Sequence, residues 1–347
     1  MAAATIDSTV EALIATGKGI LAADESHPTI GKRFKEYDIP CNEETRAAYR
    51  ELLCATPGLN AFISGVILFD ETIRQKTRDG IPFAEYLALQ GMVPGIKVDK
   101  GTTALANFGT EKVTQGLDGL RERLEEYRKL GARFTKWRAV ITIGDHTPTH
   151  TCVETNARAL ALFAALSQEA GLVPIVEPEI LMDGNHTLER CEVVTNATLK
   201  WVFDALFDQG VVLEHMLLKT GMILSGSECT RQADVAEVAE TTLRCFCRYV
   251  PAAVPGIMFL SGGQCDVAAT DRLNAICRAG EVPWRLSFSF GRALQASALK
   301  IWKADPANVE AAQSALLLRA KCNGLAVQGK YSAQMECAPV SEKRPVL

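Results

Sequence analysis

Eight short runs rich in strand-forming residues recur along this chain, and longer helix-like stretches lie between them. The runs are almost continuously apolar, which is typical of parallel strands that are covered on both faces. A strand followed by a helix, repeated eight times, predicts an α/β protein built as a closed (β/α)8 barrel, the TIM-barrel architecture. The runs span 19–24, 63–69, 95–98, 134–143, 173–180, 212–218, 256–261 and 284–290.

The helix-like stretches support this order of elements. Those at 117–130, 153–170, 188–209 and 267–279 each end immediately before a glycine, the usual residue just past a helix end. A fifth stretch, 235–249, follows the sixth run. An open doubly wound sheet is the alternative fold, but it usually carries a glycine-rich phosphate turn after its first strand. Residues 21–25 (LAADE) contain no glycine, so the barrel is favoured.

The length fits one domain. A chain of 347 residues exceeds the roughly 250 residues of a typical barrel, and no linker rich in proline, serine or charge divides it. We therefore expect a single domain over 1–347, with an N-terminal segment (1–18), the barrel (19–328) and an irregular tail at the surface (329–347). The uncharged run 52–69 contains Pro57, Gly58 and Asn60, so it predicts a helix end, a turn and a strand rather than a membrane span.

Composition narrows the classes of function. A net charge of -4 and a pI near 5.9 argue against nucleic acid as the main partner. The eleven cysteines are scattered and odd in number, which indicates reduced thiols rather than a disulfide framework. The N-terminus lacks the pattern of a signal peptide, so we expect a cytoplasmic protein that does not bind a membrane.

Lys219 is unusual because it lies within an apolar run, 211–224. An ammonium group in such surroundings is poorly solvated, so its pKa should fall from about 10.4. A partly neutral lysine can attack carbonyl groups and form a Schiff base. The structural alternative is a strand-end lysine whose apolar stem lets the ammonium reach water. Taken alone, the segment favours the structural alternative.

Charged residues recur near one end of five of the eight runs. Side chains at i and i+2 of a strand share a face, so each such pair points to one side. Each pair could be a simple salt bridge. Together on one barrel rim they predict a site for an anionic, carbonyl-bearing substrate, since buried charges cost several kcal/mol each unless paired. The residues are Asp24, Lys97 with Asp99, Lys136 with Arg138, Glu177 with Glu179, and Lys219.

Two glycine-containing sequences end the seventh and eighth runs. Ser261-Gly262-Gly263 can offer backbone amides to an anion, and Gly291-Arg292 adds further amides and a guanidinium at a predicted helix start. Barrels often bind phosphate at these two strands. We therefore expect a phosphorylated small molecule as the substrate.

Metal chemistry is the competing possibility. His146 and His150 have the i,i+4 spacing of a helix face, but Pro148 between them argues against a regular helix there. No group of cysteines and histidines has a recognised ligand spacing. We expect neither a catalytic metal nor another cofactor.

Seven segments of the chain resemble one known family, the metal-independent (class I) fructose-1,6-bisphosphate aldolases. The resemblance runs in order from about residue 11 to Tyr331, and the strings VEPEIL and GRALQASALK are highly specific. The segments are LAADES (21–26), GIKVDKG (95–101), KWR (136–138), VEPEIL (176–181), LLK (217–219), FLSGGQ (259–264) and GRALQASALK (291–300).

The resemblance implies an aldolase of glycolysis and gluconeogenesis, assembled as a homotetramer. Lys219 would form the Schiff base with the C2 ketone, and Asp24 would accept the proton of the C4 hydroxyl. Glu177 would act as acid and base. Lys136 would hold charge beside Lys219 and help keep its amine neutral, and Glu179 would support that network.

The resemblance also implies which residues bind phosphate. Ser261, Gly262, Gly291 and Arg292 would hold the C1 phosphate. Thr29, Lys32, Arg33, Lys97 and Arg138 would line the other phosphate or hydroxyl end.

The chain departs from the family pattern at several positions. Family members commonly end in a tyrosine that assists protonation of the enamine, whereas this chain ends KRPVL. His27-Pro28 replaces a small residue and glycine, and Phe290 stands where tyrosine is frequent. Thr220-Gly221 replaces Pro-Asn. Two further hypotheses therefore remain open: an aldolase that prefers a monophosphate sugar, and a catalytically silent scaffold.

Overall fold

Eight parallel strands of the computed structural model, which describes residues 5–337, close into a barrel. Within the described residues the strands are β1 (Gly19–Ala23), β2 (Ile63–Leu68), β3 (Val93–Lys97), β4 (Thr102–Ala104), β5 (Lys112–Thr114), β6 (Phe134–Ile141), β7 (Val173–Ile180), β8 (Leu217–Thr220), β9 (Gly256–Phe259) and β10 (Arg285–Phe290). The strand order of the barrel is β1–β2–β3–β6–β7–β8–β9–β10, and β10 pairs with β1. The predicted barrel is confirmed, and the open sheet is excluded by that last pairing.

Helices cover the outside of the barrel. Those of the described chain are α1 (Ile6–Leu13), α2 (His27–Lys35), α3 (Glu43–Cys54), α4 (Asp70–Arg74), α5 (Phe83–Leu89), α6 (Leu120–Lys129), α7 (His150–Glu169), α8 (Leu188–Asp208), α9 (Val235–Tyr249), α10 (Asp266–Arg278), α11 (Arg292–Trp302) and α12 (Val309–Val327). Short 3-10 turns lie at Leu59–Ala61, Leu213–His215, Pro306–Asn308 and Ala333–Cys337.

The sixth barrel strand differs from its prediction. The run 212–218 was expected to be a strand, but Leu213–His215 forms a 3-10 turn and β8 begins only at Leu217. The side chain of Gln168 explains this, because it accepts from the Val212 amide (3.0 Å) and donates to the Val212 carbonyl (2.7 Å). With these backbone groups used, the ladder starts later. It extends to Thr220, which pairs with Phe259 of the next strand, so Lys219 lies inside the strand.

Toward the amino ends of the strands, the interior of the barrel is packed with apolar side chains. Strand alternation turns Ile20 and Ala22 inward, whereas Leu21 and Ala23 face the helices. The ring of Phe134 fills the centre, and a Cβ added to Gly95 would come 2.2 Å from it. Val10 and Leu13 of α1 complete this inner cluster, which also contains Ile67, Val173, Ile175, Leu217 and Met258. By the same alternation, the next inward-facing residues along each strand lie at the carboxyl end of the barrel.

The predicted tail begins as packed structure. Tyr331 is buried, its amide donates to Asn274 Oδ1 (3.1 Å), and its hydroxyl donates to Glu336 Oε1 (2.8 Å). Arg319 of α12 binds the same carboxylate. The chain end, where the resemblance leads one to expect a tyrosine, lies outside the described residues, and the division at 18 and 328 stays a prediction.

The run 52–69 forms the end of α3, a turn and β2, as expected. No helix among residues 5–337 has both the length and the apolar character needed to cross a bilayer.

Candidate active site

A cavity of about 950 Å³ opens at the carboxyl ends of the barrel strands. The sequence-predicted site residues line it, with the exception of Lys32. Inward positions at strand ends converge on one space because the strands are parallel and closed. The predicted residues that line it are Asp24, Thr29, Arg33, Lys97, Lys136, Arg138, Glu177, Glu179, Lys219, Ser261, Gly262, Gly291 and Arg292.

Lys32 does not reach the cavity. It is exposed on α2, and its neighbour Arg33 lines the cavity instead. Consecutive helical residues point about 100° apart, so the two cannot face the same space. The His27-Pro28 departure forms the first turn of this helix, where proline fits because its missing N–H has no helical partner. Thr29 therefore still lines the cavity.

Four buried side chains form a chain of alternating charge across the cavity floor. Lys219 Nζ lies 3.1 Å from Glu177 Oε1, and Lys136 Nζ lies 3.3 Å from Glu177 Oε2. Lys136 Nζ also lies 2.6 Å from Asp24 Oδ2. Glu177 thus bridges two lysines, and Lys136 bridges two carboxylates.

The charges on Lys136 and Asp24 stabilise each other. Burial alone would lower the pKa of Lys136, but the carboxylates of Asp24 and Glu177 outweigh it and raise that pKa above its usual range. Burial alone would raise the pKa of Asp24, but the ammonium groups of Lys136 and Lys219 hold it well below its usual range. Both groups are therefore charged at neutral pH.

Two further ion pairs lie at the rim. Arg138 Nε of β6 donates to Glu179 of the neighbouring β7, and Lys97 Nζ at the end of β3 donates to Asp99, two residues further along the chain. Asp99 also accepts from the Gly101 amide (3.1 Å). Burial would lower the pKa of Arg138, but Glu179 raises it above its usual range. These four residues form ion pairs and also line the cavity. The interpretation as salt bridges and the interpretation as site residues are therefore compatible.

Glu25 is a cavity residue to which the sequence analysis gave no role. Its carboxylate binds Arg33 on one oxygen and Arg50 of α3 on the other, and Arg50 also donates to the Glu25 carbonyl (3.1 Å). Burial alone would raise the pKa of Glu25, but Arg50 and Arg33 lower it. Arg50 and Glu25 are 25 residues apart along the chain, and no local pattern relates them, so this contact could not be predicted from the sequence.

The strands β9 and β10 end in loops suited to an anion. Gly262 and Gly263 have φ of 56° and 94°, a left-handed backbone that favours glycine. Gly291 precedes α11, and Arg292 is its exposed first residue. Ser289, also missed from the sequence, is buried beside them and lines the cavity with an Oγ that has no partner among the described residues. Ser289 lies two residues after Ser287 on the same face of β10, and this spacing could have identified it as an inward-facing residue.

His150, one of the two histidines considered as metal ligands, has a structural contact. His150 begins α7 and lies edge-on to Trp201, with ring centroids 4.6 Å apart. Over residues 5–337 no group of three or more histidine, cysteine, aspartate or glutamate side chains is arranged to hold a metal ion.

Fold and cavity together define a (β/α)8-barrel enzyme with a buried lysine beside a carboxylate at the mouth of the barrel. A family model described as class-I fructose-bisphosphate aldolase matches residues 5–345. The chain belongs to the class-I fructose-bisphosphate aldolase family.

Individual relatives agree with this assignment. A probable fructose-bisphosphate aldolase class 1 of Xanthomonas campestris is 58% identical and covers 93% of this chain and 97% of its own. A fructose-bisphosphate aldolase of Dictyostelium discoideum is 50% identical over 96% and 95% of the two chains. A solved structure of Plasmodium falciparum fructose-bisphosphate aldolase, in complex with TRAP and a small-molecule inhibitor, matches with a TM-score of 0.93 and 49% identity, covering 94% and 95%. The predicted class of enzyme, a carbon–carbon lyase of the aldolase type, is confirmed.

Proposed function

We propose that this enzyme reversibly cleaves fructose 1,6-bisphosphate to dihydroxyacetone phosphate and glyceraldehyde 3-phosphate, in glycolysis and gluconeogenesis, through a Schiff base on Lys219. The observation that carries the proposal is the 3.1 Å contact between Lys219 Nζ and Glu177 Oε1 in the cavity of a family member. A nucleophile and a proton acceptor within reach of each other are the parts that imine formation needs.

The first steps build the imine. Glu177 accepts a proton from the Lys219 ammonium, and the neutral amine attacks the C2 carbonyl to give a carbinolamine. Glu177 then returns a proton to the C2 hydroxyl, which leaves as water, and the protonated iminium remains. Lys136 keeps its positive charge between Glu177 and Asp24, so it favours loss of the proton from Lys219 rather than from itself.

The iminium then accepts the electrons of the C3–C4 bond. Asp24 takes the proton of the C4 hydroxyl as that bond breaks, so glyceraldehyde 3-phosphate leaves and an enamine stays on Lys219. The lowered pKa of Asp24 keeps it ionised at neutral pH, the state that a proton acceptor requires. The enamine takes up a proton at C3, which balances the proton lost from the C4 hydroxyl, and hydrolysis by water then releases dihydroxyacetone phosphate and the Lys219 amine.

The phosphate groups fix the direction of the sugar. The C1 phosphate binds the amides after β9 and before α11 together with Arg292, because helix N-termini and guanidinium groups favour anions. Ser289 adds a hydroxyl beside this end. Thr29, Arg33, Lys97 and Arg138 line the other end, and Glu179 orients Arg138.

Borohydride reduction in the presence of dihydroxyacetone phosphate tests the proposal. We expect one adduct, located on Lys219 by peptide mapping and absent from Lys219→Met. Chelators should leave cleavage activity unchanged. An adduct on another lysine, or activity lost to a chelator and restored by zinc, would refute the mechanism, and a protein without any cleavage activity would support the scaffold hypothesis.

Location and assembly belong to the same proposal. The cysteines whose side chains are described are free, which supports a reducing compartment such as the cytoplasm. Exposed apolar residues on and just after α8, Val193, Phe207 and Val212, support a homotetramer.

A further inference from the structure

We propose that Lys100 determines specificity by binding the phosphate group at the end of the sugar bisphosphate remote from Lys219. The inference rests on the proposed function and adds a residue to its second phosphate site. Three observations carry it: the pairing of the other cations at this end, the position of Lys100, and the uncompensated charge of Arg123 behind it.

Each of the other cations at this end has a buried carboxylate partner. Arg33 is bound to Glu25, which it shares with Arg50, Lys97 is bound to Asp99, and Arg138 is bound to Glu179. The three carboxylate side chains are 5%, 3% and 9% exposed. These carboxylates weaken the attraction that the three cations exert on a phosphate dianion.

Lys100 is free to supply that attraction. It is exposed, it lines the cavity three residues beyond the end of β3, and no carboxylate pairs with it within the described part of the chain. Its backbone is nevertheless fixed, since the Lys100 amide donates to the Gln115 carbonyl (2.9 Å) and the Gln115 amide donates to the Gly101 carbonyl (2.9 Å). The β4–β5 hairpin therefore holds the base of this side chain in place.

Arg123 strengthens the positive potential at the same place. Its guanidinium donates to the backbone carbonyls of Val98 (2.9 Å) and Gly116, and over residues 5–337 no carboxylate forms an ion pair with it. Neutral carbonyls hold the group without cancelling its charge. The two segments that it joins are those that flank Lys100 and the hairpin, so an unbalanced charge lies directly behind Lys100.

Steady-state kinetics with two sugars test the inference. For Lys100→Met we expect kcat/KM for fructose 1,6-bisphosphate to fall about tenfold through KM, since one charge-assisted contact to phosphate is lost. Fructose 1-phosphate, which lacks the second phosphate, should be cleaved as by the wild type. Borohydride trapping of dihydroxyacetone phosphate on Lys219 should also be unchanged.

Matched variants separate local binding from general effects. Lys112→Met removes the same charge from β5 but not from the cavity lining, and it should leave both sugars unaffected; Lys100→Arg should retain most of the bisphosphate activity. Equal loss with both sugars, or no loss with the bisphosphate, would overturn the role of Lys100. A wild-type protein that cleaves neither sugar would instead overturn the proposed function.

Discussion

Most charged side chains around this cavity form ion pairs, and the pair between Glu25 and Arg50 is almost fully buried. Removal of one partner leaves the other charge with incomplete compensation. We expect Arg50→Met to lower the free energy of unfolding at pH 7 by about 3 kcal/mol, because Glu25 then keeps only Arg33. Urea unfolding of the wild type and the variant measures the loss.

The same pair predicts a dependence on pH. The pKa of Glu25 is lowered in the folded state, so its stabilising effect is complete above the unfolded pKa of about 4.3 and is lost as pH falls through the folded pKa. The penalty of Arg50→Met should therefore be constant between pH 7 and 5 and shrink below about pH 4. A penalty independent of pH down to acid unfolding would contradict this assignment.

Residue positions in the site were predictable where strand alternation fixed them. Lys136 with Arg138 and Glu177 with Glu179 line the cavity because i and i+2 share the inward face. The partners of Glu25 come from α2 and α3, and no local pattern relates Arg50 to Glu25. Which residues share a cavity thus follows from local periodicity, whereas which charges pair depends on tertiary packing.

Whole elements were predictable for similar reasons. Continuous apolar runs marked all eight barrel strands, and glycines marked the ends of α6, α7, α8 and α10. The β4–β5 hairpin was missed because its strands are three residues long and mostly polar. The early start assigned to β8 failed because a side chain of another helix, Gln168, takes the backbone groups of Val212. Short or tertiary-dependent elements leave no periodicity to detect.

The packing of β3 against β6 gives a prediction at this scale. Gly95 lies so close to the Phe134 ring that a methyl group would meet it at 2.2 Å. Gly95→Ala should destabilise the protein by about 1–3 kcal/mol, because the ring and the strand must both shift. Urea unfolding of the single and double variants checks this. Phe134→Leu, which frees space, should reduce the cost of Gly95→Ala.

A glycine with room beside it provides the control. Gly31 lies in α2, and its nearest neighbour for an added methyl group is Cys41 Sγ at 3.5 Å. Gly31→Ala should be neutral or stabilise by up to about 1 kcal/mol, since alanine is the better helix former. If Gly95→Ala and Gly31→Ala have equal effects, close packing at Phe134 is not what requires glycine.

At the scale of the whole molecule, the outer surface exposes apolar side chains on and just after α8 that have no role in the packing of the barrel. Phe207 is 84% exposed at the C-terminal end of α8, and Val193 on the same helix is 57% exposed. Val212, just beyond the helix, is 45% exposed. A large aromatic ring in water gains free energy when a partner covers it. Because the family resemblance implies a homotetramer, a second copy of the chain is the partner that we propose for this face.

Light scattering tests that assembly. Wild-type protein should have the mass of four chains, and Phe207→Glu should shift it to smaller species, because burial of an unpaired carboxylate at an interface opposes association. Leu89→Glu, 63% exposed on α5, is the matched control and should leave the mass unchanged. Borohydride trapping on Lys219 should persist in both variants, since neither residue lines the cavity. If Phe207→Glu remains a tetramer, or if the wild type is a monomer, α8 does not form an interface between copies of this chain. Its apolar side chains would then be covered by another partner.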